Sequence, residues 1–306
     1  MRGLTIKVLL FLLPVLVVIV ILEMALRLMP NDYKVKSTYL EVHAGEIEVL
    51  ILGSSHAYYG IDPEYFSDAC FNAAFYSQTL RYDLEIVKKY QSRFEKLNTI
   101  ILPISYFSFF SQLETGNASY MVKKYNLYMG MDVSSALKDH MELLGIQSRK
   151  NFRKLGDYYI RGENPITCNE LGWGTTHQSI DKLDLEKTGI DASLRHTRRI
   201  EESEGERAVE NQGYLQELIG ICNDMDIGLI LLTLPAYETY ASRLKSNYLD
   251  YNKETIHRML EACENCDYLD LLNDPDFTEE DYYDADHLNE FGTRKLSEKL
   301  DAYLSP

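Results

Sequence analysis

The chain has 306 residues, and its 47 aspartate and glutamate side chains against 31 lysine and arginine side chains give a formal net charge of −16. This length predicts one N-terminal anchor followed by a single domain, or one domain that carries a large insertion. The acidic balance repels the phosphate groups of nucleic acids, so we expect no nucleic-acid partner.

An apolar segment near the N-terminus is long enough to cross a membrane. It is uninterrupted from Val8 to Leu22 and continues to Met29, broken only by Glu23 and Arg27. As a helix, residues 8–29 would span about 33 Å, which is enough for the hydrocarbon core of a bilayer. The two charged residues are four apart and can pair on one helix face. The segment therefore predicts one transmembrane helix.

Basic residues before this segment predict its orientation. Arg2 and Lys7 precede it, so the positive-inside rule places the N-terminus in the cytoplasm and the rest of the chain outside it. We predict a single-pass membrane protein with a cytoplasmic tip and signal anchor over residues 1–31 and one extracytoplasmic domain over residues 32–306. A cleaved signal peptide is the main alternative, but no small-x-small cleavage site follows the segment.

The rest of the chain alternates between short apolar segments and helical segments. The predicted strands cover residues 46–52, 70–74, 99–103, 227–234 and 268–271, and the predicted helices cover residues 80–97, 208–225, 253–264 and 290–304. This alternation is typical of βαβ units and a parallel sheet. Residues from about 105 to 207 do not show this alternation of apolar and helical segments, and we predict that they form an insertion packed near the sheet.

The five cysteines are too few and too scattered to build a disulfide scaffold in a chain of this length. Cys263 and Cys266 have the spacing of a redox motif. They follow a helical stretch and precede a strand, whereas redox motifs of this kind lie at a strand-to-helix turn. A structural or incidental pair is therefore the favoured interpretation.

Two polar segments stand out. Gly53 to Pro63 (GSSHAYYGIDP) follows the first strand, and Tyr282 to Gly292 (YYDADHLNEFG) precedes the last helix. These segments resemble the SGNH/GDSL hydrolase superfamily, in which the nucleophilic serine follows the first strand and the base lies in a D-x-x-H element near the C-terminus. The resemblance covers residues 46–304 apart from the insertion. It implies a three-layer α/β/α sandwich with a five-stranded parallel sheet of flavodoxin-like order.

The anchored, GSS-bearing pattern is most similar to the cell-envelope branch of that superfamily, which includes alginate O-acetyltransferase-like and D-alanyl-lipoteichoic acid biosynthesis proteins. This similarity implies a serine O-acetyltransferase or acetylesterase that acts on a cell-envelope or exported polysaccharide. The expected partners are a glycan or acyl-glycan substrate and a membrane-bound acyltransferase. No cofactor is implied.

The chemistry of acyl transfer requires a hydroxyl nucleophile, an imidazole that takes its proton and a carboxylate that orients the imidazole. We assign these roles to Ser55, His287 and Asp284. Asp286 is adjacent to the histidine and would point elsewhere in an extended chain, so it is the less favoured carboxylate. Ser54 competes as nucleophile, but the register of the resemblance selects Ser55. A role for both serines as helix caps stays open.

Other polar and aromatic residues have weaker assignments. His56 follows the nucleophile directly and is poorly placed to reach back to it, so we predict that it shapes the pocket. His177, His196 and His257 are interpreted as incidental. Trp173 is interpreted as a core residue in preference to a platform for sugar.

The oxyanion hole departs from the pattern of the superfamily. The Ser55 backbone N–H can supply one donor, but the expected Gly and Asn are absent from Ala73 to Gln78 and from Pro103 to Phe107. Ser77 and Ser105 are the predicted substitutes. Because a missing donor costs about 100- to 1000-fold in rate, weak or lost catalysis stays open.

Three alternatives to an SGNH-type serine enzyme are less favoured by the sequence. An α/β-hydrolase needs several strands before its nucleophile, and only one fits here. A metal site could draw on the run Asp281, Asp284, Asp286 and His287, but no second cluster completes it, so we predict no metal. A binding module that partners a membrane acyltransferase or holds a glycan is the main alternative function.

Overall fold

The computed structural model describes residues 2–144, 148–203 and 205–304. Its strands are β1 (Val49–Ile51), β2 (Cys70–Asn72), β3 (Thr99–Pro103), β4 (Gly228–Thr233), β5 (Cys266–Asp270), β6 (Tyr282–Asp284) and β7 (His287–Leu288). Its helices are α1 (Arg2–Leu28), α2 (Asp32–His43), α3 (Ser55–Gly60), α4 (Leu80–Tyr90), α5 (Val122–Tyr128), α6 (Ser148–Tyr159), α7 (Leu185–Glu201), α8 (Glu206–Asp224), α9 (Glu238–Ala241), α10 (Ser246–Leu260) and α11 (Glu290–Leu304).

Five strands form one parallel sheet in the order β2-β1-β3-β4-β5, which is the predicted flavodoxin-like order. Leu50 at the centre of β1 lies opposite Phe71 on one side and Ile100 on the other. All three side chains are fully buried, as expected of a parallel sheet covered on both faces. The predicted α/β fold class is confirmed.

Helices flank this sheet. The connections β2-α4-β3 and β3-α8-β4 run in the same direction along the sheet, and α4 packs against α8. The first connection runs the opposite way, and its helix α3 packs against α11. Because parallel crossovers are right-handed, this reversal puts the two helix pairs on opposite faces. The direction in which successive strands are added to the sheet reverses between β1 and β3. Open α/β sheets bind their ligands at such a switch point.

Several element ends differ from the predicted ones. Strand β3 and helix α11 have the predicted bounds, but the first strand is shorter because residues Ala44–Glu46 form a 3₁₀ turn. The helix predicted over residues 80–97 ends at Tyr90, where another 3₁₀ turn follows. The segment between the last predicted strand and the last predicted helix contains the antiparallel hairpin of β6 and β7. Hydrophobic periodicity locates elements better than it locates their ends.

The described residues form two compact units. One unit contains the sheet and comprises residues 38–113 and 167–306, and the other comprises residues 1–37 and 114–166. The central part of the predicted insertion therefore clusters with the N-terminal segment. The domain boundaries given above stay a prediction. In the second unit, Leu10–Leu28 is long and apolar enough to cross a membrane, a composition that a secretion signal shares.

Cys263 and Cys266 form a disulfide between α10 and β5. The thiols of Cys70, Cys168 and Cys222 are buried. The redox-type spacing therefore lies at a helix-to-strand turn, as the order of predicted elements indicated. Cys266 pairs with Leu229 near the start of β4, so the disulfide lies at the opposite end of the parallel strands from the polar segment that follows β1.

Candidate active site

The turn after β1 depends on a glycine. Gly53 has a φ of +113°, a conformation that side-chain-bearing residues rarely adopt. A Cβ atom there would lie 3.3 Å from Pro103 Cδ and 3.4 Å from Ala57 Cβ. The Gly53 N–H donates to Asp83 Oδ1 at 2.7 Å. This turn directs the chain from the buried strand into α3 and exposes the residue that begins the helix.

Ser55 is the first residue of α3, and Ser54 occupies the N-cap position. The Ser54 side chain is buried and makes no capping hydrogen bond, so the capping interpretation of this serine is not supported. The first N–H groups of a helix have no intrahelical acceptor. The Ser55 N–H is therefore suited to the predicted role of oxyanion donor.

The structure brings Ser55, His287 and Asp284 together. Ser55 Oγ lies 2.9 Å from His287 Nε2. The other ring nitrogen, Nδ1, lies 2.9 Å from Asp284 Oδ1 and 3.2 Å from Oδ2. The carboxylate thus fixes the ring so that Nε2 faces the hydroxyl, which is the arrangement that nucleophilic catalysis requires.

A β-hairpin creates this geometry from the D-x-x-H spacing. Asp284 ends β6 and pairs directly with His287 at the start of β7. The turn between them is held from two sides, because the Ala285 N–H donates to Thr188 Oγ1 at 3.2 Å and its carbonyl accepts from the Tyr237 N–H at 2.9 Å. Both side chains therefore leave the same end of a fixed turn, and the carboxylate reaches back onto the ring.

Asp286, the less favoured carboxylate, also contacts the histidine. Its Oδ1 atom lies 3.7 Å from His287 Nδ1, and its Oδ2 atom lies 3.4 Å from His56 Nε2 and 3.7 Å from Arg195 Nη2. Burial alone would lower the pKa of His287, but the carboxylates of Asp286 and Asp284 outweigh it and raise this pKa to about 9. Burial would raise the pKa of Asp286, and the neighbouring imidazolium holds it below its usual range instead.

His56 lies next to His287. Its ring centroid is 4.9 Å from that of His287, and its Nδ1 atom lies 2.8 Å from Ser105 Oγ. Burial lowers the pKa of His56, so the ring is neutral at pH 7 and bridges Ser105 to Asp286. The predicted pocket-shaping role agrees with this position.

The two predicted substitutes for the oxyanion hole lie after β2 and β3. Ser77 has a φ of +60° and is half-buried. The Ser105 hydroxyl contacts His56, and the Ser105 N–H donates to Ser108 Oγ at 2.9 Å. Because the ionised Asp286 carboxylate can only accept, the neutral His56 ring donates to it through Nε2 and accepts the Ser105 hydroxyl proton at Nδ1. The oxyanion roles of Ser77 and Ser105 stay predictions.

Two further histidines, His177 and His196, also lie at the site, although their sequence context predicts incidental positions. The His177 ring stacks on Tyr59 at 3.5 Å between centroids and lies 5.2 Å from the His287 ring. Burial and the nearby His287 cation lower the pKa of His177 to about 3. His196 Nε2 lies 3.9 Å from Asp286, and burial holds the pKa of His196 well below its usual range.

The GWG turn places His177. Trp173 Nε1 donates to the Tyr59 carbonyl at 2.7 Å, and the Gly174 N–H donates to the Tyr58 carbonyl at 2.8 Å. A Cβ atom on Gly174 would lie 2.5 Å from the Tyr58 ring, so only glycine allows this approach. Trp173 therefore fastens the segment to α3, which agrees with a structural role in place of sugar stacking.

Two groups of side chains at the site have ligand types that metals use. In each group the possible ligand atoms lie within 4.8 Å of one another. One group is formed by His56, Asp286 and His287, and the other by His177, Asp284 and His287. Both depend on His287, whose two ring nitrogens already contact Ser55 and Asp284. Asp281, part of the metal alternative, instead lies 2.5 Å from Lys295 Nζ. The donor arrangement thus fits proton transfer better than metal binding.

Comparisons with known proteins add only distant similarities. No protein-family model matches the chain, and no curated protein matches it in sequence. One solved structure, provisionally named a platelet activating factor from Streptococcus pneumonia, is 13% identical, with 96% of this chain and 98% of that chain covered and a TM-score of 0.45. Another, a provisionally named acylhydrolase from Bacteroides fragilis NCTC 9343, is 9% identical, with 87% and 94% covered and a TM-score of 0.39. The functional conclusion therefore rests on the side chains of this chain.

Proposed function

We propose that the chain is a serine acyl-transfer enzyme of the SGNH type that works through an acyl-Ser55 intermediate. The observation that carries the proposal is the contact between Ser55 Oγ and His287 Nε2 at 2.9 Å, with Asp284 on the opposite ring nitrogen. The parallel sheet places this serine directly after its first strand and the histidine before its last helix, as the superfamily pattern requires.

The reaction begins with neutral His287. Its Nε2 atom accepts the Ser55 hydroxyl proton while Oγ bonds to the ester carbonyl carbon, and the carbonyl oxygen becomes an alkoxide. The Ser55 N–H is placed to donate to that alkoxide. The intermediate then collapses, the bond to the leaving alcohol breaks, and His287 returns its proton to that alcohol. Asp284 stabilises the imidazolium throughout.

The second half-reaction repeats these steps with an acceptor hydroxyl. His287 takes the proton of a sugar hydroxyl or of water, whose oxygen attacks the acyl-Ser55 carbonyl, and Ser55 leaves as the free hydroxyl. We assign an exported polysaccharide as acceptor or donor. The partly buried rings of Tyr59, His177 and Tyr283 support this assignment, because aromatic rings offer flat surfaces on which sugar rings pack.

The membrane assignment supports the same class of substrate. The apolar stretch Leu10–Leu28 of α1 fits a bilayer span, and the basic residues Arg2 and Lys7, which precede that stretch, favour an extracytoplasmic catalytic unit. An enzyme tethered there meets envelope polymers and has no access to cytoplasmic esters. We therefore propose a single-pass membrane enzyme that transfers or removes acyl groups at the cell surface.

A binding module is the second candidate. It is favoured by the sequence at the oxyanion positions, where Ser77 and Ser105 stand in place of the expected Gly and Asn. Such a module would hold a glycan or partner a membrane acyltransferase without forming a covalent intermediate. The two candidates differ in whether Ser55 becomes acylated.

The test is the trapping of an acyl-enzyme on the full chain in detergent. The chain is mixed with p-nitrophenyl acetate, quenched in acid and measured by intact mass and peptide mapping. We expect one acetyl group on Ser55, faster loss of it when a glycan acceptor is added, and no adduct in the Ser55→Ala variant. A folded wild-type chain that releases no p-nitrophenol and gains no acetyl group would contradict the enzyme proposal and favour the binding module.

A further inference from the structure

Helix α6 packs against the apolar helix α1 near the end of its candidate span. The Tyr159 hydroxyl at the C-terminus of α6 donates to the Ala25 carbonyl at 3.0 Å. Ala25 lies inside Leu10–Leu28, the stretch that is long and apolar enough to cross a membrane. The end of α6 is therefore level with the last turn of the span.

The segment before α6 is fixed at the same level. The Glu23 carboxylate accepts the N–H groups of Glu142 and Leu143, both at 2.9 Å. Arg27 Nη2 donates to the His140 carbonyl at 2.5 Å. Glu23 lies five residues before the end of the span, or about 8 Å along the helix axis. These hydrogen bonds hold the polypeptide before α6 beside the last turns of α1, where a bilayer surface would lie.

The surface of α6 combines exposed apolar and basic side chains. Phe152 is 57% exposed, Tyr159 is 53% exposed and the following Ile160 is 86% exposed. Phe152 and Tyr159 are seven residues apart and so lie on one face of the helix. The exposed basic residues of this segment are Lys150, Arg153, Lys154 and Arg161.

The charge of this segment is opposite to that of the chain. Residues 150–161 contain four basic side chains and one acidic side chain, Asp157, whereas the whole chain has a net charge of −16. Asp157 lies 2.7 Å from Arg161 and 3.6 Å from Arg153. Aromatic and basic side chains on one short helix are typical of segments that lie in the membrane interface.

We propose that α6 lies in the membrane interface beside the span and binds anionic phospholipid head groups. Lys150, Arg153 and Lys154 would contact the phosphates, while Phe152 and Tyr159 enter the boundary of the acyl chains. This inference rests on the membrane anchoring in the proposed function. A bilayer fits better than a protein partner because Tyr159 on this exposed face contacts Ala25 in the last turn of the apolar span.

The test uses tryptophan fluorescence of the full chain in vesicles. Trp173 is the single tryptophan of the chain, so a Phe152→Trp variant adds one reporter on α6. The control variant is Val209→Trp, at a 72% exposed position on α8 of the sheet unit. Each variant is reconstituted into phosphatidylcholine vesicles with or without phosphatidylglycerol. Quenching by brominated phospholipids is compared with quenching by aqueous acrylamide.

In vesicles with phosphatidylglycerol, we expect brominated lipid to quench the Phe152→Trp reporter at least twofold more than the control, and acrylamide to quench it less. Adding Lys150→Glu, Arg153→Glu and Lys154→Glu should remove the dependence on phosphatidylglycerol, with folding checked by circular dichroism. A reporter quenched by acrylamide as strongly as the control and untouched by brominated lipid overturns the inference, as does unchanged quenching after charge reversal.

Flotation of the same vesicles separates this inference from the anchor. If the chain floats with its vesicles but the Phe152→Trp reporter is quenched by acrylamide and not by brominated lipid, the anchor is supported and only the inference about α6 is overturned. A chain that does not float overturns both. The acyl-enzyme experiment in detergent is independent of either outcome.

Discussion

The Asp286→Asn substitution should move the pH dependence of Ser55 reactivity to lower pH. His287 acts as a base only when it is neutral, and two carboxylates raise its pKa to about 9. Asparagine keeps the shape of the buried side chain and removes one of these charges. The sign follows directly: loss of a nearby negative charge destabilises the imidazolium, so the pKa of His287 falls.

The distance between Asp286 and His287 sets the size of this change in the pKa of His287. Asp286 Oδ1 lies 3.7 Å from His287 Nδ1. At an effective dielectric constant of about 20, opposite charges at this distance attract by roughly 4–5 kcal/mol. Arg195, 3.7 Å from Asp286 Oδ2, already offsets part of that charge. We therefore expect the pKa of His287 to fall to roughly 7, which raises the neutral fraction at pH 7 about 50-fold.

The assay is the rate of fluorophosphonate labelling of Ser55 between pH 5 and about pH 10. The wild-type rate should rise with pH to a midpoint near 9, and the variant should reach its midpoint about two pH units lower. Glu279→Gln removes the same charge at an exposed position and is the matched control. A midpoint that is unchanged in Asp286→Asn, or that moves equally in the control, would refute the assignment of Asp286.

Three further substitutions test other parts of the site. Asp284→Asn should slow labelling by up to about 10,000-fold, because the amide no longer fixes the His287 tautomer. Gly174→Ala should lower the free energy of unfolding by about 1–3 kcal/mol and slow acyl transfer, since its Cβ would collide with the Tyr58 ring. Asp83→Asn should stabilise the protein at pH 8 and have little effect at pH 4, because burial raises the pKa of Asp83 to about 7. Native Asp83 binds its proton more tightly than unfolded Asp83, so wild-type stability falls as the pH rises from about 4 to 7.

Each of these substitutions has its own control and contrary result. Labelling of Asp284→Asn is compared with that of Asp281→Asn, and equal rates would mean that Asp284 does not orient the base. Gly174→Ala is compared with Gly213→Ala, where a Cβ meets no atom within 4 Å, and equal denaturation midpoints would remove the steric argument. For Asp83→Asn, urea unfolding at both pH values is decisive, and a loss of stability at pH 8 would mean that the charged carboxylate is the stabilising form.

The alternation of apolar and helical segments predicted a parallel sheet, and the resemblance to the SGNH/GDSL superfamily implied the order of its strands. Residues 99–103 and 227–234 are apolar runs between helical segments, and such runs form buried parallel strands wherever both faces are covered. The D-x-x-H spacing was sufficient to predict which side chains meet, because a hairpin turn fixes the separation of Asp284 and His287. These features depend on residues that are close in sequence.

Contacts across the chain were harder to predict. His177 lies 110 residues before His287, in a region that does not show the alternation of apolar and helical segments. Only the neighbouring GWG turn indicates that this segment packs closely against another part of the chain. An extended chain would direct Asp286 away from the histidine, whereas the turn brings its carboxylate to 3.7 Å from His287 Nδ1. Such contacts depend on how distant segments pack, which periodicity and motif spacing do not record.

Ser55 as the activated nucleophile is tested most directly by intact-mass analysis of the full chain after fluorophosphonate treatment, comparing wild type with Ser55→Ala, Ser54→Ala and His287→Ala. We expect one adduct that maps to Ser55, persists in Ser54→Ala and is absent from Ser55→Ala and His287→Ala. A folded wild-type chain without an adduct, or an adduct that survives Ser55→Ala, would rule out this role for Ser55.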